Sequence, residues 1–417
     1  MHLSYLLTLV GVFSSFSLAV DQGPLVANMA NWDIDSSCEP HRRVLDEAFD
    51  VALEMATAAS DAMEFLRTPR PAKRQRKLHL EWSIKSRALK AALGLTAQDD
   101  GANPSADFTF AQDTEVIFKR IKMRLSQSSS VANPTRNSRL QRLGYTKPRL
   151  MCGENTEGEN ANFIWVGKDD PVPGENGILL RDHREARAAI ARAGSVGAWL
   201  HEGRMVFVKS EKQKGFICGQ DMAAVTDYRF DWIFFCDRSF RRKVQRRTSP
   251  KAYKEIDGKT KKVKDRTDDK IFAGKSLGSI AGHLSVTVLH ELFHWYGLPK
   301  VNSQGQGIPY TYNINDVHAV DKDGKYIYKS TESSEAEPES FENPLTREEM
   351  SERKLRVVAA YGREHVWNLA KLLHNDRSIK PVANADSMAY FALMMYLDAW
   401  DWSANGYADE KSLTLPS

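Results

Sequence analysis

The chain has 417 residues, of which 42% are apolar and 27% charged, and a net charge of +4. That balance excludes a wholly disordered chain and leaves enough apolar mass for a sizeable core. So mild a charge offers none of the concentrated basic faces that nucleic acid demands, and no nucleic-acid partner is expected.

Met1 to Tyr5 is a short leader, followed by the apolar run Leu6 to Phe13 and by small residues at Ser17 and Ala19. This is the plan of a secretory signal peptide over residues 1–19, cut near Ala19. The run is shorter than the roughly 20 apolar residues a membrane anchor needs, and no later stretch qualifies, so no membrane span is expected. Secretion changes how Cys38, Cys152, Cys218 and Cys236 read. An even count in an oxidising compartment favours two disulfides, with three pairings open.

Residues 20–417 are expected to form one domain. His41 to Leu66 carries apolar side chains at helical spacing, rich in Ala, Leu, Met and Glu, and predicts a long helix buried on one side. Thr68-Pro69-Arg70-Pro71 ends it, and the basic run to Lys77, with the dibasic Lys73-Arg74, reads as an exposed loop. Residues 95–110 and 124–148 read as loops around a short helix near Glu115 to Leu125. Arg204 to Val208 and Asp231 to Cys236 read as buried strands. Two charged stretches, basic near 241–270 and acidic near 322–352, read as exposed insertions. Helices are expected over Leu277 to Tyr296, stopped by Gly297 and Pro299, over Arg353 to Leu373, and over Ala385 to Ala399. Helices, then a small strand region, then helices again make the fold class α+β and mainly helical.

The chemistry concentrates at His290-Glu291-Leu292-Phe293-His294. Residues four apart share a helix face, so both imidazoles can reach one ion. Zinc accepts neutral imidazole, and a catalytic zinc keeps one position for water. Glu291, turned roughly 100° from His290, reaches that water as a general base instead of competing as a ligand. The apolar flanks, Ser285 to Leu289 before and Trp295-Tyr296 after, bury the segment, and two buried histidines with a glutamate need a partner such as an ion.

A third ligand must come from elsewhere. His283 lies seven before His290, too far along the helix, and reads as a core residue or one behind a ligand. Asn313-Ile314-Asn315-Asp316-Val317-His318 offers both Asp316 and His318, with Asp321 behind them. The third-histidine spacing H-E-x-x-H-x-x-G-x-x-H is absent, because Lys300 stands at its last position.

The segment His290 to His294, the Ile-x-Asp of Ile314 to Asp316, Ala360-Tyr361-Gly362 with Leu369-Ala370, and Asn384-Ala385-Asp386-Ser387-Met388-Ala389-Tyr390-Phe391-Ala392 together resemble the aspzincins, the deuterolysin-type fungal zinc metalloendopeptidases. Trp32 to Cys38 with the first helix, and Cys218 to Cys236, are also similar to that group. Continuous matching is confined to the carboxy-terminal third. The resemblance implies a zincin-like fold with the histidine motif on a central helix. It implies one zinc held by His290, His294 and Asp316, Glu291 as base, and Tyr361 as oxyanion stabiliser. The chain departs from the group's Gly-Thr-x-Asp-x-x-Tyr-Gly motif, since Val358 occupies the aspartate position before Tyr361-Gly362. Asn384 and Asp386 read as caps of the last helix, with Asp386 alternatively holding a ligand histidine.

The expectation is a secreted monomeric endopeptidase acting on proteins or peptides. A second reading is a catalytically weak secreted zinc-binding or surface-antigen protein of the same group. Members of that kind often replace the glutamate, which this chain keeps. A third makes Arg241 to Lys270 a polyanion-adhering module.

Overall fold

The computed structural model describes residues 25–97, 108–126, 138–153, 163–193, 195–201, 204–207, 217–218, 222–227, 230–257, 270–297, 314–333, 335–372 and 381–409. The signal-peptide stretch 1–19 lies outside them. The fold is mixed α+β. Among the described residues six helices of eleven residues or more make the body: α1 (Arg42–Leu66), α2 (Arg76–Leu93), α3 (Phe108–Ser126), α4 (Leu284–Tyr296), α5 (Gly362–Leu372) and α6 (Ala385–Tyr396).

α1 forms where the periodicity predicts it. Leu45, Phe49, Ala52, Ala56, Ala59, Met63 and Leu66 recur every three or four residues and are all buried. Val51, Leu53 and Met55 are buried too, so the apolar arc is wider than one side, and α1 packs against α3, α4 and α6. Phe118 of α3 meets Phe293 of α4 edge-on at 5.3 Å, and Trp295 of α4 meets Trp32 at 5.5 Å. α4 is thus enclosed by aromatic and aliphatic side chains, and the core is built around it.

Three small sheets flank this body. The first has the order β1 (Asp33–Ile34), β2 (Arg149–Cys152), β7 (Trp232–Phe235), β6 (Ala224–Asp227). β2 and β7 are parallel and buried at every residue, as interior strands of a covered sheet are. β6 runs antiparallel along the edge and packs beside α4. The second sheet is β3 (Ile164–Gly167), β4 (Gly197–His201) and β5 (Arg204–Phe207), and the third is β10 (Leu355–Val357), β8 (Tyr326–Ser330) and β9 (Glu339–Phe341). Disulfides join Cys38 to Cys152 and Cys218 to Cys236. Asp35, in the turn before α1, pairs with His201 at the end of β4 at 2.9 Å, both buried. Burial pushes the Asp35 carboxyl up, but His201 and the Ser37 amide outweigh it and bring its pKa down to about 2.

Several elements differ from the reading of the sequence. α2 begins inside the basic run expected as a loop; its charged residues lie outward or at the margin, while Leu80, Trp82, Ile84 and Leu89 pack inward with the buried His79 and Ser83. α3 starts at Phe108, seven residues before its expected start. The helix expected over Leu277 to Tyr296 is two, Leu277–Ala281 and α4, divided at Gly282 and His283. His283 is the N-cap of α4: its Nδ1 accepts from the Ser285 amide at 3.2 Å, and burial lowers its pKa to about 4. Residues 322–352, read as an exposed insertion, are mostly exposed but carry regular structure. They supply β8, β9 and the helix Arg347–Glu352, and Leu355 to Val357 pair with Tyr328 to Ser330 instead of opening a helix at Arg353. Of the basic stretch, Arg242–Gln245 and Pro250–Asp257 are short helices, and residues 258–269 lie outside the described ones. No described helix is long and apolar enough to cross a membrane.

Candidate metal centre

α4 projects His290 and His294 from one face, as the four-residue spacing requires. Their Nε2 atoms stand 3.1 Å apart. Asp316 Oδ1 completes a triangle with them, 3.2 Å from His290 Nε2 and 3.3 Å from His294 Nε2. Among the described residues these three form the one group of histidine, cysteine and carboxylate side chains close enough to hold a metal ion. A tetrahedral ion bonded at about 2.0–2.1 Å spaces its ligand atoms roughly 3.3 Å apart. The triangle has that size.

The outer partners fix which atoms face inward. His290 Nδ1 lies 2.7 Å from Asp386 Oδ1, and His294 Nδ1 lies 2.8 Å from the Ile314 carbonyl oxygen. Both partners are acceptors, so each Nδ1 carries the proton and each Nε2 presents a lone pair. Two lone pairs and a carboxylate oxygen then converge on one point with no donor among them, and a cation must balance them. Without a metal the demand falls on protons. Burial lowers the His290 pKa, but Asp316 and Asp386 outweigh it and hold it well above its ordinary value. His294 follows in the same direction, burial opposing and Asp316 prevailing. Burial raises Asp316, yet the two imidazoles pull its carboxyl far below the usual range.

Asp316 reaches the site through long-range pairing. His318 and Ala359 form an antiparallel bridge, and the Ala360 amide donates to the Val317 carbonyl at 2.7 Å. That register sets Asp316 opposite Tyr361, and the Tyr361 hydroxyl donates to Asp316 Oδ2 at 2.6 Å. Asp316 is thus brought beside Tyr361 from the facing segment, whereas Val358 stands three positions before Tyr361 in its own. Val358 itself packs against Ala319, Ile327 and Ala360.

Two residues of the Asn384–Ala392 stretch hold this assembly. Asn384 is fully buried, and its side chain makes no cap, contrary to expectation. Its Oδ1 accepts from the Val317 amide and its Nδ2 donates to the Ala360 carbonyl, stapling the two antiparallel segments together. Asp386 spends one oxygen on His290 and accepts the Gly362 amide on the other at 2.6 Å. Gly362 has φ +82°, a left-handed conformation that favours glycine, and this turn aims its N–H at Asp386.

Glu291 is buried, and the Thr226 hydroxyl of β6 donates to its Oε2 at 2.6 Å. Thr226 was not foreseen, because nothing in the local sequence marks a residue 65 positions away as the partner of Glu291. Tyr361 is half exposed, its ring 5.7 Å from that of His290. Burial and the neighbouring Asp316 raise its pKa far above an ordinary phenol. His318 turns away: its Nε2 donates to the Ile327 carbonyl at 2.8 Å and its ring packs on Tyr326 and Tyr328. Asp321 closes a turn by accepting the Asp323 and Lys325 amides. His290, Glu291 and Tyr361 all line a cleft of about 720 Å³.

No protein-family model, no curated protein and no solved structure matches this chain.

Proposed function

We propose that this chain is a secreted, zinc-dependent endopeptidase of the zincin kind, similar to the aspzincins. The observation that carries the reading is the triangle of His290 Nε2, His294 Nε2 and Asp316 Oδ1 at tetrahedral spacing, with the Glu291 carboxylate beside it in an open cleft. Two imidazoles and one carboxylate, with a fourth position left open, are the donor set of a catalytic zinc. When bound, zinc would polarise a peptide carbonyl and make a water acidic near neutral pH.

The rest falls to the protein's own residues. Glu291 is held by Thr226 through Oε2, which leaves Oε1 to take the proton of the attacking water and return it to the leaving amine. Its burial keeps that carboxylate in surroundings where charge interactions are strong. Tyr361 stays protonated well past neutral pH, so its hydroxyl remains a donor able to leave Asp316 for the oxygen that becomes negative during attack. β6 is a sheet edge beside the cleft, and an extended peptide can lie along such an edge as an added strand. The two disulfides support an oxidising, extracellular setting.

The test is metal content and casein hydrolysis of the purified protein beside its Glu291→Gln variant. The variant is expected to keep its zinc and lose roughly 10²- to 10⁴-fold in turnover. Equal turnover in both proteins, or none in the zinc-loaded wild type, would reduce the chain to a zinc-binding protein.

A further inference from the structure

The wall of the cleft formed by the third sheet carries Lys329 of β8 and Arg356 of β10. The two are direct cross-strand partners in the antiparallel register. Side chains so placed have Cβ atoms about 4.5–5.5 Å apart, and like charges there repel. Neither residue makes an ion pair among the described residues. Their neighbours on the same unit are otherwise satisfied: Lys325 pairs with Glu342, Lys354 with Glu332, and Arg353 lies over the Phe341 ring. The surrounding segment is strongly acidic, yet it sends none of its carboxylates to the cleft wall. Arg238 adds a further cation to the lining. Among the described residues the carboxylates that line the cleft, Glu291 and Asp386, are engaged at the centre by Thr226 and by His290 with Gly362.

The position suits a substrate contact. Arg356 precedes Tyr361 by five residues, so their Cα atoms are at most roughly 17 Å apart, about the span of five residues of extended peptide. Resting on the peptidase reading, we infer that Lys329 and Arg356 form a subsite for a carboxylate on the peptide, a few residues from the bond cleaved. A guanidinium beside an ammonium offers a carboxylate a charged, fork-shaped set of donors, and its arrival relieves the repulsion between them. The carboxylate is that of an aspartate or glutamate side chain or that of the chain's end.

Three fluorescent peptides of one sequence decide this: an internal Glu with an amidated end, Gln in its place with an amidated end, and the Gln peptide truncated to a free carboxylate at that position. Affinity is read by anisotropy on zinc-loaded Glu291→Gln protein, and kcat/KM on wild type. One or both carboxylate peptides should bind about ten-fold tighter than the Gln amide, the preference weakening with salt. Which of the two prefers the site identifies the source. Lys329→Ala/Arg356→Ala should abolish the preference, and Lys329→Glu/Arg356→Glu should invert it. Equal affinities for all three peptides, or a preference that survives in the variants, would overturn the subsite. Selective binding without cleavage by wild type would overturn the peptidase reading and leave the subsite standing.

Discussion

The site is assembled from two regions of opposite character. One is helical: α4 carries His290, Glu291 and His294 inside a core of aromatic and aliphatic side chains, and its geometry follows from a local repeat. The other is made of strands: Asp316 and Tyr361 sit on facing segments that meet only because Asn384 and the third sheet bring together residues 45 apart. Local structure sets the spacing of the two histidines, whereas long-range pairing sets the distance to the third donor. The helical half is therefore expected to survive changes that undo the strand half.

The largest effect expected is at the strand half's own donor. Asp316→Ala should lower zinc affinity by more than the roughly 100-fold that loss of an outer partner costs, while His318→Ala leaves it unchanged. Competition with a chelator reads this, and zinc loss in the His318 variant alone would refute the assignment. Next comes the residue serving both halves. Asp386→Asn should weaken zinc about 10- to 100-fold, because an amide offers one acceptor oxygen to two donors, His290 Nδ1–H and the Gly362 amide, and the charge behind the ring is lost. An unchanged affinity would mean α4 alone fixes the ring.

The smallest effect lies away from the site, at Asp35. Its pKa is lower folded than unfolded, so its contribution is present above about pH 4 and fades as pH falls toward 2. The amount is about 2 kcal/mol. Thermal melts between those pH values should show a drop in wild type that Asp35→Asn flattens. A parallel pH dependence in the two proteins would dismiss the pair with His201 as a stabiliser.

The same contrast explains what the sequence could tell. α1, α4 and β7 were legible because their apolar spacing is local and strong. His290, Glu291 and His294 were legible for the same reason. Asp316 could only be narrowed to a choice with His318, since strand register decides which of them faces the histidines and which faces Tyr328. Thr226 and the stapling role of Asn384 depend on contacts 65 and 67 positions away and leave no local trace. The strands of the acidic stretch were not legible because its charges dominate the composition, while the buried Ile327 and Tyr328, with Leu355 beyond it, are few in number.

α1 has a bearing on which cuts the folded chain withstands. It lies against α4 and two other helices, and the Ala27 and Asn28 amides ahead of it bond back to Asp50 and to the Leu125 carbonyl. Shedding this region would strip the core instead of uncovering the cleft. Among the described residues, a nick at an exposed turn such as Lys73-Arg74 would leave α1 and α2 gripped by their neighbours.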